Sequence, residues 1–328
     1  MAKLDRGVEW PTLVLIAATY GVWALATTLL WAWFWPLGLL VTVLAIVQYS
    51  SLQHEVLHGH PFRSKALNEL LVFMGFTVFV PYGRFRDTHL QHHHDPTLTD
   101  PYDDPEANYL DPTLWSQLSP VLQRVLRLNN TLLGRIVIGP AISTYAGVKG
   151  DLALVRNGDK RVAKAWGLHL IGVALVVLWL VKVATMPIWA YVIAAYFGYG
   201  ILKIRTFLEH RAHDTFRART VIVEDKGPLA FLFLNNNLHV VHHCHPNLAW
   251  YELPALYAKN SGHYQRRNES YVYSSYAEIF RRYFVKAKDP VPHPIWPVRK
   301  SDHQDWPDQI RRRKVGMSVR LSKKGTPG

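Results

Sequence analysis

Cysteine is almost missing from this chain of 328 residues. Its one cysteine, Cys244, excludes an internal disulfide and any thiolate-rich zinc or iron–sulfur site within the chain. Internal repeats of useful length are missing too, which sets aside solenoids and propellers. No short leader with a small-residue cleavage site is evident at the start, and the apolar run at about 11–33 is too long for one, so it reads as a retained span. Acidic residues are scarce beside basic ones, 24 against 37, for a formal charge of +13. Such a surplus suits nucleic acid, but basic loops beside apolar spans are what a membrane protein with large cytoplasmic parts carries, so no nucleic-acid partner is expected.

What is present is strongly uneven. A mean hydropathy of −0.01 looks soluble, yet it averages very apolar runs with very basic loops. Four runs, about 11–33, 36–53, 166–185 and 187–208, approach the roughly 20 residues that cross a hydrocarbon core. Trp35-Pro36 separates the first two and Met186-Pro187 the last two, because proline ends one helix and can start the next. The expected fold is therefore all-α and integral to the membrane, with four transmembrane helices in two hairpins. Twelve lysines and arginines fall in 54–165, twenty from 209 onward and none in the hairpin turns. The positive-inside rule then places both large regions and both termini in the cytoplasm. Trp31, Trp33 and Trp35 suit an interfacial aromatic belt, with core packing as the alternative. Residues 1–288 read as one membrane unit and 289–328 as a basic, proline-rich tail that includes Arg311, Arg312, Arg313 and Lys314.

Beside these runs stand three histidine clusters: His54-Glu55-Val56-Leu57-His58, His89-Leu90-Gln91-His92-His93 and His239-Val240-Val241-His242-His243. Positions i, i+3 and i+4 share a helical face, so each cluster is expected to aim two or three imidazoles at one point. Eight such ligands are too many for one ion and imply a two-metal site. The apolar run Leu67 to Val80 must not cross the bilayer, or the first two clusters would lie on opposite sides; it is read as re-entrant or interfacial. Leu114 to Leu128 is amphipathic and is expected along the membrane surface, as a cap on the site or as a solvated insert.

The pattern HxxxH, HxxHH, HxxHH resembles the membrane fatty acid desaturase and hydroxylase superfamily, and the likeness extends over about residues 40–258, including LTDPYDDPE and NNNLHVVHHCHPNLAWYELP. It implies a cytoplasmic helical cap holding two non-haem irons, with His54, His58, His89, His92, His93, His239, His242 and His243 as ligands. It also implies a ninth, His210, just after the last span. Related acyl-CoA enzymes carry a water-bridging asparagine where this chain has Thr206; Asn235, Asn236 and Asn237 are possible substitutes. His60, His94, His213 and His245 fall outside the ligand pattern and read as supporting or surface groups. Metal-bound imidazoles usually donate their other N–H to a carboxylate or carbonyl, and Glu55, Glu209, Asp95 and Asp100 are the nearest candidates in sequence.

The implied function is an oxygen-dependent desaturase of a long acyl chain in a bacterial-type inner membrane, drawing electrons from an external ferredoxin-like donor. The alternative is a hydroxylase or ketolase acting on a lipid, carotenoid or alkane, since carotenoid ketolases share a segment like Asp103-Asp104-Pro105. Two readings from other classes are weighed against these. His54 to His58 also fits the zinc-protease pattern HExxH with Glu55 as base, which would leave the other histidines idle. A metal transporter would need ionisable ligands inside the spans.

Overall fold

Prolines delimit the two helical hairpins that frame the molecule. The computed structural model describes residues 7–296; the basic run Arg311 to Lys314 lies outside the described residues. Helix α1 (Trp10–Trp33) and α2 (Trp35–Leu57) are separated only by Phe34, whose extended backbone (φ −151°) breaks the helix just before Pro36 in the first turn of α2. After α3 (Lys65–Leu71), α4 (Tyr82–His92), α5 (Pro112–Gln117), α6 (Pro120–Asn129), α7 (Leu132–Val137) and α8 (Gly139–Arg156), the second hairpin pairs α9 (Lys160–Lys182) with α10 (Ile188–Thr206). Downstream lie β1 (Ile222–Val223), α11 (Pro228–Leu232), α12 (His239–Cys244), α13 (Leu253–Arg267), β2 (Val272–Tyr273) and α14 (Tyr276–Tyr283), with β1 and β2 paired in parallel.

Among the described residues three helices, α1, α2 and α9, are long and apolar enough to cross a membrane. The fourth expected span does form a helix, α10, but three tyrosines and the charges Lys203 and Arg205 keep it out of that set. Helix α2 is the central one: 56% of its apolar window is buried, against 28% for α1 and 22% for α9. The outer helices turn Val14, Leu29, Leu170 and Val181 outward, as lipid-facing surfaces do. Ala190, Ala194 and Gly198, spaced four apart on α10, are small enough to bring α10 close against α2 at Ile46.

The two hairpins are oriented alike because their turns are bonded together. A π-helical turn at Ala26–Leu30 leaves the Thr27 carbonyl to accept from the backbone N–H groups of Thr185 (3.1 Å) and Met186 (3.0 Å). Trp33, Trp35 and Trp189 are exposed at this same end, so they are not core tryptophans. The histidine clusters consequently gather at the opposite end, where α2 finishes and α10 runs out.

The run 67–80 is not a spanning helix. It forms the short α3, capped by Ser64, followed by irregular backbone whose Phe76 is fully buried against Trp23 (ring centroids 4.2 Å) and Tyr49 (4.5 Å). This backbone lies directly on α9: a Cβ on Gly172 would come within 2.5 Å of the Phe73 carbonyl oxygen. The amphipathic stretch 114–128 forms α5 and α6, each opened by a side-chain cap, Asp111 and Ser119.

Gly172→Val should therefore destabilise the protein by about 1–3 kcal/mol, since backbone and not a flexible side chain must yield. Gly167→Ala, where nothing lies within 4 Å, should leave stability unchanged or slightly raised. Thermal unfolding of the two purified variants in detergent checks the contrast.

Candidate metal centre

Each histidine segment reaches the site by a different local device. His54 and His58 sit at the C-terminal end of α2, and His89, His92 and His93 at that of α4. The chain enters α12 through Leu234 and Asn235, both left-handed (φ 52° and 56°), with Asn235 held by donation to the Trp250 carbonyl. Of the nine, His210 alone stands at no helix; it follows α10 in a short antiparallel bridge to Thr220.

The nine sequence-predicted histidines come together as two groups. His54, His58, His89, His93 and His242 form one and His92, His210, His239 and His243 the other, with the ligand atoms in each group within 4.8 Å of one another. The groups adjoin where the rings of His93 and His243 stack at 4.4 Å. This corrects the expectation that each cluster aims at a single point. Residues i and i+4 lie about 40° apart around a helix, whereas i+3 and i+4 lie about 100° apart. His89 and His93 therefore share one group while His92 turns to the other, and His239 and His243 share the second while His242 crosses to the first. The doubled histidine in each of these two segments supplies both groups.

The chemistry of the donors calls for cations. The Nδ1–H groups of His92 and His89 donate to Asp104 (2.7 Å) and Glu106 (3.0 Å), since carboxylates only accept. His239 donates likewise to Asn236 Oδ1 (3.1 Å), an orientation set by Asn236 Nδ2 donating to Glu209. When neutral, each of these rings presents Nε2 to the site as a lone pair, so a bound ion must displace the proton that His92 holds. Yet the Nε2 atoms of His92 and His210 are 2.8 Å apart, those of His89 and His93 3.0 Å, and those of His239 and His210 3.2 Å. Neighbouring ligands on one ion, at right angles with bonds of about 2.1 Å, stand about 3 Å apart. His54 Nε2 and His58 Nε2 are buried with no hydrogen-bond partner among the described residues, as suits atoms that would ligate an ion. The residues fit two bound metals.

Electrostatics agree. Burial and neighbouring histidines hold His93, His210, His239 and His242 well below the usual imidazole range, keeping them neutral, the form that ligates. His92 is the exception: burial opposes its charge, but Glu106, Asp104 and Glu209 outweigh it and push it up to about 9. Burial raises Glu209 despite the Arg205 guanidinium 2.9 Å away. This carboxylate-rich surround is ready to balance added positive charge.

Other expectations need correction. Of the carboxylates chosen by proximity in sequence, Asp100 caps a turn at Tyr102 and Asp103, and Glu55 accepts from the Trp250 N–H (2.8 Å) and so pins the segment after the third cluster. Glu209 stands 3.8 Å from His239 Nδ1 and acts chiefly through Asn236. The missed partners, Asp104 and Glu106, lie 12 and 17 residues beyond their histidines, and the signal was the DDPE segment itself. Asn235 and Asn237 donate through Nδ2 to backbone carbonyls, and Asn236 Oδ1 accepts from His239. His60, His94, His213 and His245 join neither group; His60 pairs with Glu9 and His245 with Tyr264. The protease reading fails because three further histidines join His54 and His58, and Glu55 is engaged elsewhere.

Replacing Asp104 by alanine frees the His92 ring, and metal affinity should fall by about 10- to 100-fold. Asp103→Asn, at the exposed neighbouring position, should leave it unchanged. Competition of each purified variant against a chelator reads the difference.

Comparison with known proteins bears on what such a centre does. No curated protein matches the chain. The family model for fatty acid desaturase matches residues 29–275, a span that holds all nine histidines together with Asp104, Glu106 and Asn236. Covering well over half of the sequence, it shows that the chain belongs to the fatty acid desaturase family.

Proposed function

We propose that this integral membrane protein is an oxygen-dependent diiron desaturase that introduces a double bond into a long acyl chain. The observation that carries the reading is the double histidine site at one end of a bundle of apolar helices. Iron fits an all-imidazole donor set, whereas zinc lacks the redox chemistry that an unactivated C–H bond requires. Two irons there would supply the reduction of dioxygen needed to take hydrogen from such a bond.

The rest falls to the chain's own residues. Asp104, Glu106 and Asn236 hold three rings in the ligating tautomer. Buried Leu52, Val56, Val240 and Val241, on the same helices as the ligands, exclude water from the site. A groove of about 630 Å³ between α8 and α10 is lined by Phe79, Val148, Leu152 and Tyr196 and bordered by Lys149 and Arg156, and its lining includes none of the nine histidines. Electrons come from an external ferredoxin-like donor, which the basic face attracts. On this reading the active site and both termini face the cytoplasm of a bacterial inner membrane, as the basic residues at the histidine end suggest. A transporter is disfavoured because the histidines cluster at one end of the bundle and do not line a route through it.

The test is to express the chain and its His242→Ala variant, with an electron donor, in a host lacking such an enzyme and to profile membrane lipids by mass spectrometry. A histidine-dependent acyl product lighter by two hydrogens is expected. A product heavier by one oxygen would replace this reading with the hydroxylase or ketolase alternative, and no acyl change would overturn the acyl substrate in favour of a carotenoid or alkane.

A further inference from the structure

His210 is held unlike its neighbours. His89, His92 and His239 are each oriented at Nδ1 by a side-chain acceptor, whereas the buried Nδ1 of His210 has no hydrogen-bond partner among the described residues. No helix fixes its backbone either. A ligand ring with neither support would swing, yet its Nε2 stands 2.8 Å from that of His92 and 3.2 Å from that of His239. Something else must hold the main chain in place.

That hold comes from tertiary hydrogen bonds to the backbone of 208–212. The Tyr271 hydroxyl donates to the Leu208 carbonyl (2.8 Å), the Val221 N–H to the Glu209 carbonyl (3.0 Å) and the Lys288 ammonium to the His210 carbonyl (3.1 Å), while the Ala212 N–H donates to the Tyr109 hydroxyl (2.9 Å). Lys288 also donates to the Tyr271 hydroxyl (3.3 Å) and pairs with Asp289, which accepts from the Tyr109 hydroxyl (2.7 Å). Its side chain is only 7% exposed. A buried ammonium with this geometry is held for position, because desolvating it costs more than one surface ion pair returns.

Lys288 sits on a strap, 284–296, that lies beyond the family match ending at 275. The strap is itself anchored to the segment that carries Asp104 and Glu106. The Leu110 N–H donates to the Val291 carbonyl (2.9 Å), the His293 N–H to the Leu110 carbonyl (2.8 Å) and the Lys288 N–H to the Asn130 carbonyl (3.2 Å). One piece of chain thus ties the His210 backbone to the segment that orients His89 and His92.

We propose that Lys288 is a positioning residue that fixes His210 through its backbone carbonyl and so sets the affinity of the four-histidine group for its metal. Among the described residues Lys288 bonds to the backbone of no ligand of the five-histidine group, whose link to the strap runs only indirectly, through the segment that carries Glu106. The proposal rests on the two-metal reading of the site, and the test separates the two.

The full-length chain, purified in detergent and loaded with iron, is dialysed against a graded chelator, and iron per chain is followed for wild type, Lys288→Met, Lys288→Arg and Tyr271→Phe. Wild type holding two irons secures the two-metal reading, and wild type holding fewer sinks that reading and this one with it. Lys288→Met should then release one iron per chain at about 10- to 100-fold lower chelator while keeping the other. Lys288→Arg should restore retention in part, since Arg keeps the donor and charge but not the reach. Tyr271→Phe keeps the buried ring and removes only the hydroxyl, so it serves if Lys288→Met does not fold, and it too should lose one iron selectively. Equal loss of both irons, or wild-type retention in either folded variant, overturns the proposal, because a merely structural role would not distinguish the two ions.

Discussion

The structure depends on the convergence of imidazole nitrogens on two points. Ring nitrogens held 2.8–3.2 Å apart need a proton or a metal ion between them, because two facing lone pairs repel. The fold supplies that arrangement at a cost in buried polar groups, and the ions repay it when bound. Around the rings, Asp104, Glu106 and Glu209 place negative charge where positive charge will sit. The apolar bundle keeps the far end of the molecule closed and binds the two hairpins through Thr27, so that all the histidine-bearing ends point the same way.

The pairing of histidines is a consequence of helix geometry acting on a short motif. A doublet following a spaced histidine cannot serve one point, because adjacent residues diverge by about 100°. In both HxxHH segments the i and i+4 residues stay together and the intervening i+3 residue leaves for the neighbouring group. Helices α4 and α12 therefore each bridge the two groups. The first cluster, with no doublet, serves one group only, and His210 completes the other.

Much of this was legible in sequence. The histidine spacing named eight residues and the family resemblance the ninth, His210, while the prolines at 36 and 187 marked both hairpins. What escaped was tertiary. Asp104 and Glu106 reach back to α4 through a loop whose path no periodicity records, and Glu55 and Asp100 were nearer in sequence but turned to other work. The close approach of 73–75 to α9 depends on Gly75 and Gly172, residues remote in sequence whose value appears only when their backbones meet. Arg205, near the C-terminal end of α10, is buried as the partner of Glu209 beside the site. Lys288 is the last residue of the membrane unit read from the sequence, where nothing in the pattern marks it as enclosed.

The central claim is that adjacent histidines serve different ions. Mössbauer spectroscopy of the chain loaded with iron-57 tests it most directly, by comparing wild type with His92→Ala and His93→Ala. Two iron sites should be resolved, with His92→Ala perturbing one and His93→Ala the other. A single iron site, or two variants that perturb the same site, would contradict the account.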